Sequence, residues 1–84
     1  AFGQIAGAGL SAYSMMGSDI RMKEDINLIG KSPMGINVYT FRYKGDDKKY
    51  QGVMAHQVPQ ASIVDDNGYL MVDYSKLDVD FKEV

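Results

Sequence analysis

Polar and apolar positions alternate through much of the second half of the chain, a pattern typical of strands with one buried face. Residues 36–44 alternate most clearly, and one of their two faces is rich in aromatic side chains: Asn37, Tyr39, Phe41 and Tyr43. A polar turn at residues 45–49 then leads into residues 50–55, which predict the return strand. Gly52 within that strand would allow a close approach of the backbone to its neighbours. This part of the sequence therefore predicts an antiparallel hairpin.

A second hairpin is predicted nearer the C-terminus. The strand-like runs 61–64 and 69–74 flank the sequence DDNG, and an Asn-Gly pair between two such runs favours a tight hairpin turn. Between the two hairpins, residues 56–60 surround a proline and predict a short helical turn or loop. Beyond the second hairpin, we expect Val79 and Phe81 to attach the C-terminal tail to the core.

Residues 17–31 connect the first part of the chain, residues 1–17 (the lead), to the strand-forming body, residues 36–84. The apolar residues of this connecting segment fit both a helix and a strand. Apolar residues at positions 22, 26 and 29 fit a short helix over residues 20–29 that Ser18 or Asp19 would cap. Apolar residues at positions 20 and 22 also alternate with polar residues at 19, 21 and 23, as in a strand. We expect a strand at the start of this segment, and Gly30 to end the element.

The lead, residues 1–17, contains no charged side chain and is rich in glycine and alanine. Apolar residues recur there at alternating gaps of three and four, as in packed helices: Phe2, Ile5, Gly9, Ala12 and Met16. Each of its glycines would cost a helix about 1 kcal/mol relative to alanine, so the lead needs a partner to pack against. We expect a helix or strap docked on symmetry mates or on a larger assembly. A membrane-inserting helix and disorder are the alternatives.

Together the patterns predict an α+β fold, mostly antiparallel β hairpins with an N-terminal Gly/Ala-rich helix or strap. We divide the chain into a docking or oligomerisation lead, residues 1–17, and a folded domain, residues 18–84. A chain of 84 residues buries only about 60–65% of its unfolded surface, so a solitary monomer would be marginal. The absence of cysteine and the single histidine exclude disulfides, thiolate metal sites and histidine-rich metal clusters. Oligomerisation remains as the stabilising device, and no metal or cofactor is expected.

Charge and the single histidine add two further expectations. The formal net charge is −2 with interspersed signs, which gives no basic patch for nucleic acid. His56 has no carboxylate nearby in the sequence, so we expect it at the surface or at an interface rather than in a catalytic role.

One pair of residues has the composition of a catalytic dyad, because Ser18 precedes Lys23 by five positions. A serine hydroxyl attacks a carbonyl when a base takes its proton, and a lysine can be that base if burial lowers its pKa. Residues five apart lie on opposite faces of a strand and about 140° apart on a helix. The pair can therefore meet only across a bend or between neighbouring chains. A capping serine and a solvated lysine are the alternative.

Four blocks of sequence occur in a fixed order: SDIRMKEDI at 18–26, GINVYTFRY at 35–43, GVMA at 52–55 and DNGYLMVDYSKL at 66–77. Together they resemble the endosialidase-type intramolecular chaperone domain, which occurs at the C-terminus of phage tail fibres and tailspikes. The auto-processing domain of the myelin regulatory factor is similar to it. The chain departs from the family pattern where members commonly have Met-Ala-Gln-Glu-Val, because it has MAHQV at residues 54–58 and lacks the acid.

The resemblance implies an intertwined homotrimer that drives fibre assembly and, in many family members, cuts itself just before the serine. The cut would fall between Gly17 and Ser18, with Ser18 as the nucleophile and Lys23 as the general base. The trimer would supply the oligomerisation that the short chain needs. The candidate contact residues between chains come from the lead and from the predicted strand at residues 36–44 (the aromatic strand): Phe2, Ile5, Gly9, Met16, Tyr39, Phe41 and Tyr43.

We therefore expect a bacteriophage virion structural protein, made in the host cytoplasm and located in the tail or fibre. It would use a trimeric chaperone-type domain for virus assembly without being cut, and its partners would be copies of itself and other phage tail or fibre proteins. The first alternative is an active self-cleaving serine endopeptidase. The second is a membrane-active virion peptide that acts through residues 1–17.

Overall fold

The computed structural model describes residues 15–84, which form two antiparallel sheets connected by short turns. The strands of this part of the chain are β1 (Met15–Gly17), β2 (Lys23–Lys31), β3 (Asn37–Tyr43), β4 (Lys49–Gly52), β5 (Ser62–Val64), β6 (Leu70–Asp73) and β7 (Lys82–Glu83). One sheet has the order β1-β6-β5 and the other the order β2-β3-β4-β7. The prediction of mostly antiparallel β structure is therefore confirmed. The last residues of the predicted lead form β1 and belong to a sheet.

The helical structure in residues 15–84 consists of 3₁₀ turns: Ile20–Met22, Ala55–Gln57, Pro59–Ala61 and Tyr74–Lys76. The described part of the chain is therefore mostly β rather than α+β. None of its helices is long and apolar enough to cross a membrane. The expected N-terminal helix or strap lies outside the described residues. So do the candidate contact residues Phe2, Ile5 and Gly9, and the membrane alternative through the lead.

Both predicted hairpins are confirmed, since β3 pairs antiparallel with β4 and β5 pairs antiparallel with β6. In the second hairpin, the Asp65 carboxylate accepts hydrogen bonds from the N–H groups of Asn67 and Tyr69 at 2.8 and 2.9 Å. Gly68 completes that turn with a φ of 85°, a left-handed conformation that glycine adopts without steric cost. In the first hairpin, β4 ends at Gly52, earlier than expected.

The join between the lead and the body follows neither sequence pattern. A 3₁₀ turn at Ile20–Met22 replaces both the expected initial strand and the alternative helix over residues 20–29, and β2 begins directly after it. The cause is the Asp19 carboxylate, which accepts hydrogen bonds from the backbone and guanidinium N–H groups of Arg21. It also accepts one from the Leu70 N–H at 3.0 Å. These bonds cap the turn and attach it to β6, so the chain bends here.

The core of the described residues is formed by apolar side chains from both sheets and from the turns: Phe41, Val53, Met54, Ala55, Val58, Ala61, Val72, Tyr74, Val79 and Phe81. Val79 and Phe81 attach the C-terminal tail to this core, as predicted. Phe41 is 0% exposed, and its ring centroid lies 6.4 Å from that of Phe81. Phe41 therefore belongs to the core of a single chain and has no free surface for the contact between chains that the sequence suggested.

Gly52 is buried at the point where three aromatic side chains converge. A β-carbon built at this position would lie 2.5 Å from the Tyr74 hydroxyl oxygen and 3.3 Å from the rings of Phe41 and Phe81. The close approach expected at Gly52 is confirmed, and it depends on the absence of a side chain there.

We expect Gly52→Ala to lower the free energy of unfolding by about 1–3 kcal/mol, because the new methyl group forces Tyr74 out of place. Tyr74→Phe removes the clashing oxygen, so the double variant should be less destabilised than the sum of the two single variants. Urea denaturation of all four chains measures this coupling. Losses that simply add would contradict the proposed clash.

Candidate active site

The two candidate catalytic residues lie on either side of the 3₁₀ turn Ile20–Met22. Ser18 follows β1, and Lys23 is the first residue of β2. Their exposed fractions are 0% and 4%, and with Asp19 they are the buried polar residues of the described chain. The bend that their spacing requires is therefore present within a single chain.

The Lys23 amine is surrounded by backbone and apolar groups. Its Nζ donates a hydrogen bond to the Val53 carbonyl oxygen at 2.9 Å, lies 3.9 Å from the Met54 sulfur, and lies 3.9 Å from the centroid of the Phe41 ring. Burial lowers the pKa of Lys23 to about 7, and the charge of Asp19 opposes this shift only in part. A large share of the amine is therefore unprotonated at neutral pH and able to accept a proton.

Ser18 is held through both its side chain and its backbone. Its hydroxyl oxygen lies 3.3 Å from the Tyr74 hydroxyl oxygen, which in turn accepts a hydrogen bond from the Val53 N–H at 2.9 Å. The Ser18 N–H donates to the Leu70 carbonyl, and the Ser18 carbonyl accepts from the Ala55 N–H, each at 3.0 Å. The serine thus has a fixed position relative to the residues around it.

Val53 connects the two candidate residues through its own backbone. Its carbonyl oxygen accepts from Lys23, while its N–H donates to Tyr74, whose hydroxyl contacts Ser18. Within residues 15–84, these contacts replace a direct hydrogen bond between the serine and the lysine. Catalytic hydrogen bonds are often loose before reaction, and here the Lys23 amine and the Ser18 hydroxyl must approach each other before the proton can pass.

A third side chain contacts the peptide group that precedes the serine. The Tyr43 hydroxyl donates a hydrogen bond to the Gly17 carbonyl oxygen at 2.6 Å. Burial, reinforced by Tyr74 and Tyr50, raises the pKa of Tyr43 well above its ordinary value, so the hydroxyl keeps its proton. The sequence suggested only an interface role for Tyr43. The contact joins residues 26 positions apart, and no local pattern in the sequence indicates it.

Asp19 holds the bend in place from a buried position. Its carboxylate forms an ion pair with Arg21 at 2.6 Å, and hydrogen bonds from Arg21 hold the pKa of Asp19 far below its ordinary value although burial acts the other way. The carboxylate therefore stays ionised and satisfied, and it positions Ser18 and Lys23 without bonding to either of them.

The remaining candidate residues lie outside this network. His56 is exposed, as expected. Met16 and Tyr39 are half-buried, and the Tyr39 hydroxyl donates to the Gln57 side chain at 3.0 Å. Contacts of these residues with a second chain stay a prediction. Among the residues that the structure describes, no group of three or more side chains could hold a metal ion.

Residues 18–69 match the family model described as the chaperone of endosialidase. The match begins at Ser18, contains Lys23 and Tyr43, and covers more than half of the chain. It confirms the resemblance inferred from the four sequence blocks. Comparisons with the curated proteins and with the solved structures found no match.

The buried lysine should make stability depend on pH. An unfolded lysine has a pKa of 10.5 and the folded one a pKa of about 7, so between these values the unfolded state binds more protons. In a Ser18→Ala chain, in which no cut can intervene, the free energy of unfolding should rise between about pH 7 and pH 9.5, by roughly 1–3 kcal/mol. Urea denaturation at several pH values measures the rise.

The rise should disappear in Lys23→Met, because the thioether carries no charge in either state. Lys31→Met is the matched control, since Lys31 is an exposed lysine on the same strand; made in the same Ser18→Ala chain as Lys23→Met, it should keep the rise. An equal pH dependence in the Lys23→Met and Lys31→Met chains would show that the buried amine does not cause it.

Proposed function

The chain belongs to the chaperone-of-endosialidase family, and on that basis we propose that it forms a homotrimer and cuts its own backbone between Gly17 and Ser18. Membership of the family supports an intramolecular chaperone role in a phage tail protein, and a virion-associated location. We add threefold assembly and self-cleavage to that role. The other partners would be tail or fibre proteins that bind the lead.

The buried Lys23 amine is the observation that carries the proposed cut. An ordinary lysine, with a pKa of 10.5, is almost fully charged at neutral pH and cannot act as a base. Lys23 is 4% exposed and has a pKa of about 7. Within the described part of the chain, its amine bonds to a backbone carbonyl, and the ion pairs there involve Arg21 and Arg42 instead. A lysine with a purely structural role would cost less free energy if it were solvated. A buried lysine with a strongly lowered pKa is instead typical of a functional site.

In the proposed reaction, the Ser18 hydroxyl oxygen attacks the carbonyl carbon of Gly17 while its proton passes to the Lys23 amine. The lysine then gives this proton to the Ser18 backbone nitrogen as the bond between that nitrogen and the carbonyl carbon breaks. The product is an ester that joins Gly17 to the Ser18 side chain. Water hydrolyses the ester, which yields a Gly17 carboxylate, a free Ser18 α-amino group and the original hydroxyl.

The uncut structural protein expected from the sequence is the second candidate, and the pairing of β1 favours it. Gly17 lies opposite Met71 in the ladder between β1 and β6, and the next N–H, that of Ser18, donates to the Leu70 carbonyl. A peptide held in regular sheet structure is protected from external proteases. The join therefore persists unless Ser18 itself attacks it.

Exposed apolar side chains on two edge strands support the proposed assembly. β2 and β5 lie at edges of their sheets, and four of their large apolar side chains are 53–63% exposed: Leu28, Ile29, Ile63 and Val64. Uncovered apolar edges promote pairing with other chains. We propose that contacts between copies of the chain cover them, with the number three taken from the family resemblance.

Intact-mass spectra under denaturing conditions test the cut. The natural chain should give a fragment that begins at Ser18, whereas Ser18→Ala and Lys23→Met should give the full-length mass because they remove the nucleophile and the base. Lys31→Met should be cut like the natural chain. The rate should rise with pH up to about 7 and then level off, as the Lys23 amine becomes unprotonated. A natural chain that folds and keeps its full mass would overturn the cut in favour of the uncut structural protein.

Light scattering of dilute protein tests the assembly. The natural chain should have the mass of a trimer, and Leu28→Asp should shift it towards monomer by placing a charge on the apolar edge. Gln60→Asp is the control, since it adds the same charge at another exposed position, and it should leave the trimer intact. A well-folded monomer formed by the natural chain would refute the proposed assembly.

A further inference from the structure

We propose that Tyr43 is a third catalytic residue, whose hydroxyl stabilises the negative charge that develops on the Gly17 carbonyl oxygen when Ser18 attacks. This inference rests on the proposed self-cleavage. Ser18 and Lys23 account for the nucleophile and the base, but neither neutralises the oxyanion of the tetrahedral intermediate. Such stabilisation is usually the largest single contribution to acyl-transfer catalysis.

The peptide group to be cut is held on both sides. The Ser18 N–H donates to the Leu70 carbonyl on β6 at 3.0 Å. The described chain contains no cis peptide bond, and in a trans peptide the C=O points opposite to the N–H. The Gly17 carbonyl therefore points away from β6, towards the Tyr43 hydroxyl 2.6 Å away. The donor is thus in place before the reaction begins.

The same strand register positions Tyr43 and Lys23. The two residues are direct partners in the ladder between β2 and β3, so their side chains project from the same face. The Tyr43 ring is further fixed by contacts with Phe41 and Tyr50, whose ring centroids each lie 5.5 Å from its own. A donor packed in this way needs no reorganisation when charge develops, which is the condition for effective oxyanion stabilisation.

The hydrogen bond should strengthen during the attack. A carbonyl oxygen is a neutral acceptor, and hydrogen bonds to ionised acceptors are roughly twice as strong. The donor must also keep its proton, and burial raises the pKa of Tyr43 well above its ordinary value. The titratable groups near it are Tyr74, Tyr50 and the cross-strand Lys23, together with the charged side chains that line a cavity beside it: Lys48, Lys82 and Glu83. Burial also raises the pKa of both tyrosines. The Tyr43 hydroxyl is therefore an available donor throughout the pH range in which Lys23 becomes a base.

Tyr43→Phe tests this role, because it removes the hydroxyl and keeps the ring. The first-order rate of cleavage is followed by intact mass during cell-free synthesis at about pH 8. We expect the variant to cut about 10²–10³-fold more slowly than the natural chain. Tyr50→Phe is the matched control, since its ring belongs to the same aromatic cluster and its hydroxyl lies near Asp46 instead; it should cut at the natural rate. A folded Tyr43→Phe chain that cuts at the natural rate would overturn the inference.

A fluorinated tyrosine introduced at position 43 covers the case in which Tyr43→Phe does not fold. A single fluorine makes the phenol a stronger hydrogen-bond donor, and burial raises the pKa of Tyr43 well above its ordinary value, so the hydroxyl keeps its proton and the fluorinated chain should cut faster than the natural chain at about pH 8. An unchanged rate would refute the role of Tyr43 while leaving self-cleavage intact. A natural chain and a Ser18→Ala chain that both stay full-length would overturn the proposed cut itself, and this inference with it.

Discussion

The burial of the Lys23 amine is the constraint on which the proposed self-cleavage depends. The chain buries one carboxylate and one amine within the same bend and treats them in opposite ways. Asp19 receives hydrogen bonds from Arg21, which keep it ionised. Burial lowers the pKa of Lys23 to about 7, and the charge of Asp19 offsets this shift only in part. In the proposed reaction, Asp19 is structural and Lys23 is the base.

The site is complete only when distant parts of the chain have packed together. Lys23 begins β2, Tyr43 ends β3, Val53 follows β4 and Tyr74 follows β6, while Ser18 lies in the bend between the two sheets. An unfolded or half-folded chain has a charged lysine and no donor at the Gly17 carbonyl. In the proposed function, cleavage is therefore confined to folded protein. Such a coupling suits an assembly chaperone, because the covalent link to the lead persists until the fold is reached.

The parts of the fold that the sequence predicts are those determined by local contacts. The second hairpin follows from Asn67 and Gly68, since the turn conformation depends on those residues and on Asp65 beside them. The bend at Ile20–Met22 could not be predicted in this way, because it depends on a hydrogen bond between Asp19 and the distant Leu70. The apolar residues in and after the bend fit both a helix and a strand. The aromatic strand shows the same limit. Alternation places the side chains of β3 on two faces, but it does not distinguish a face covered by the chain itself from one covered by a partner.

The same distinction between local and distant contacts explains which parts of the candidate site can be recognised from the sequence. The serine and the lysine are recognisable as a pair because a known sequence block contains both. Their environment is not recognisable, because burial of Lys23 depends on Phe41, Val53 and Met54 from the opposite hairpin.

The pairing of β1 affects the products of the proposed cut. After cleavage, the described residues of the lead would be held by the short ladder between Met15–Gly17 and β6 and by the hydrogen bond from Tyr43 to Gly17. So short a strand contributes little stability alone, so retention of the lead would depend on whatever residues 1–14 bind.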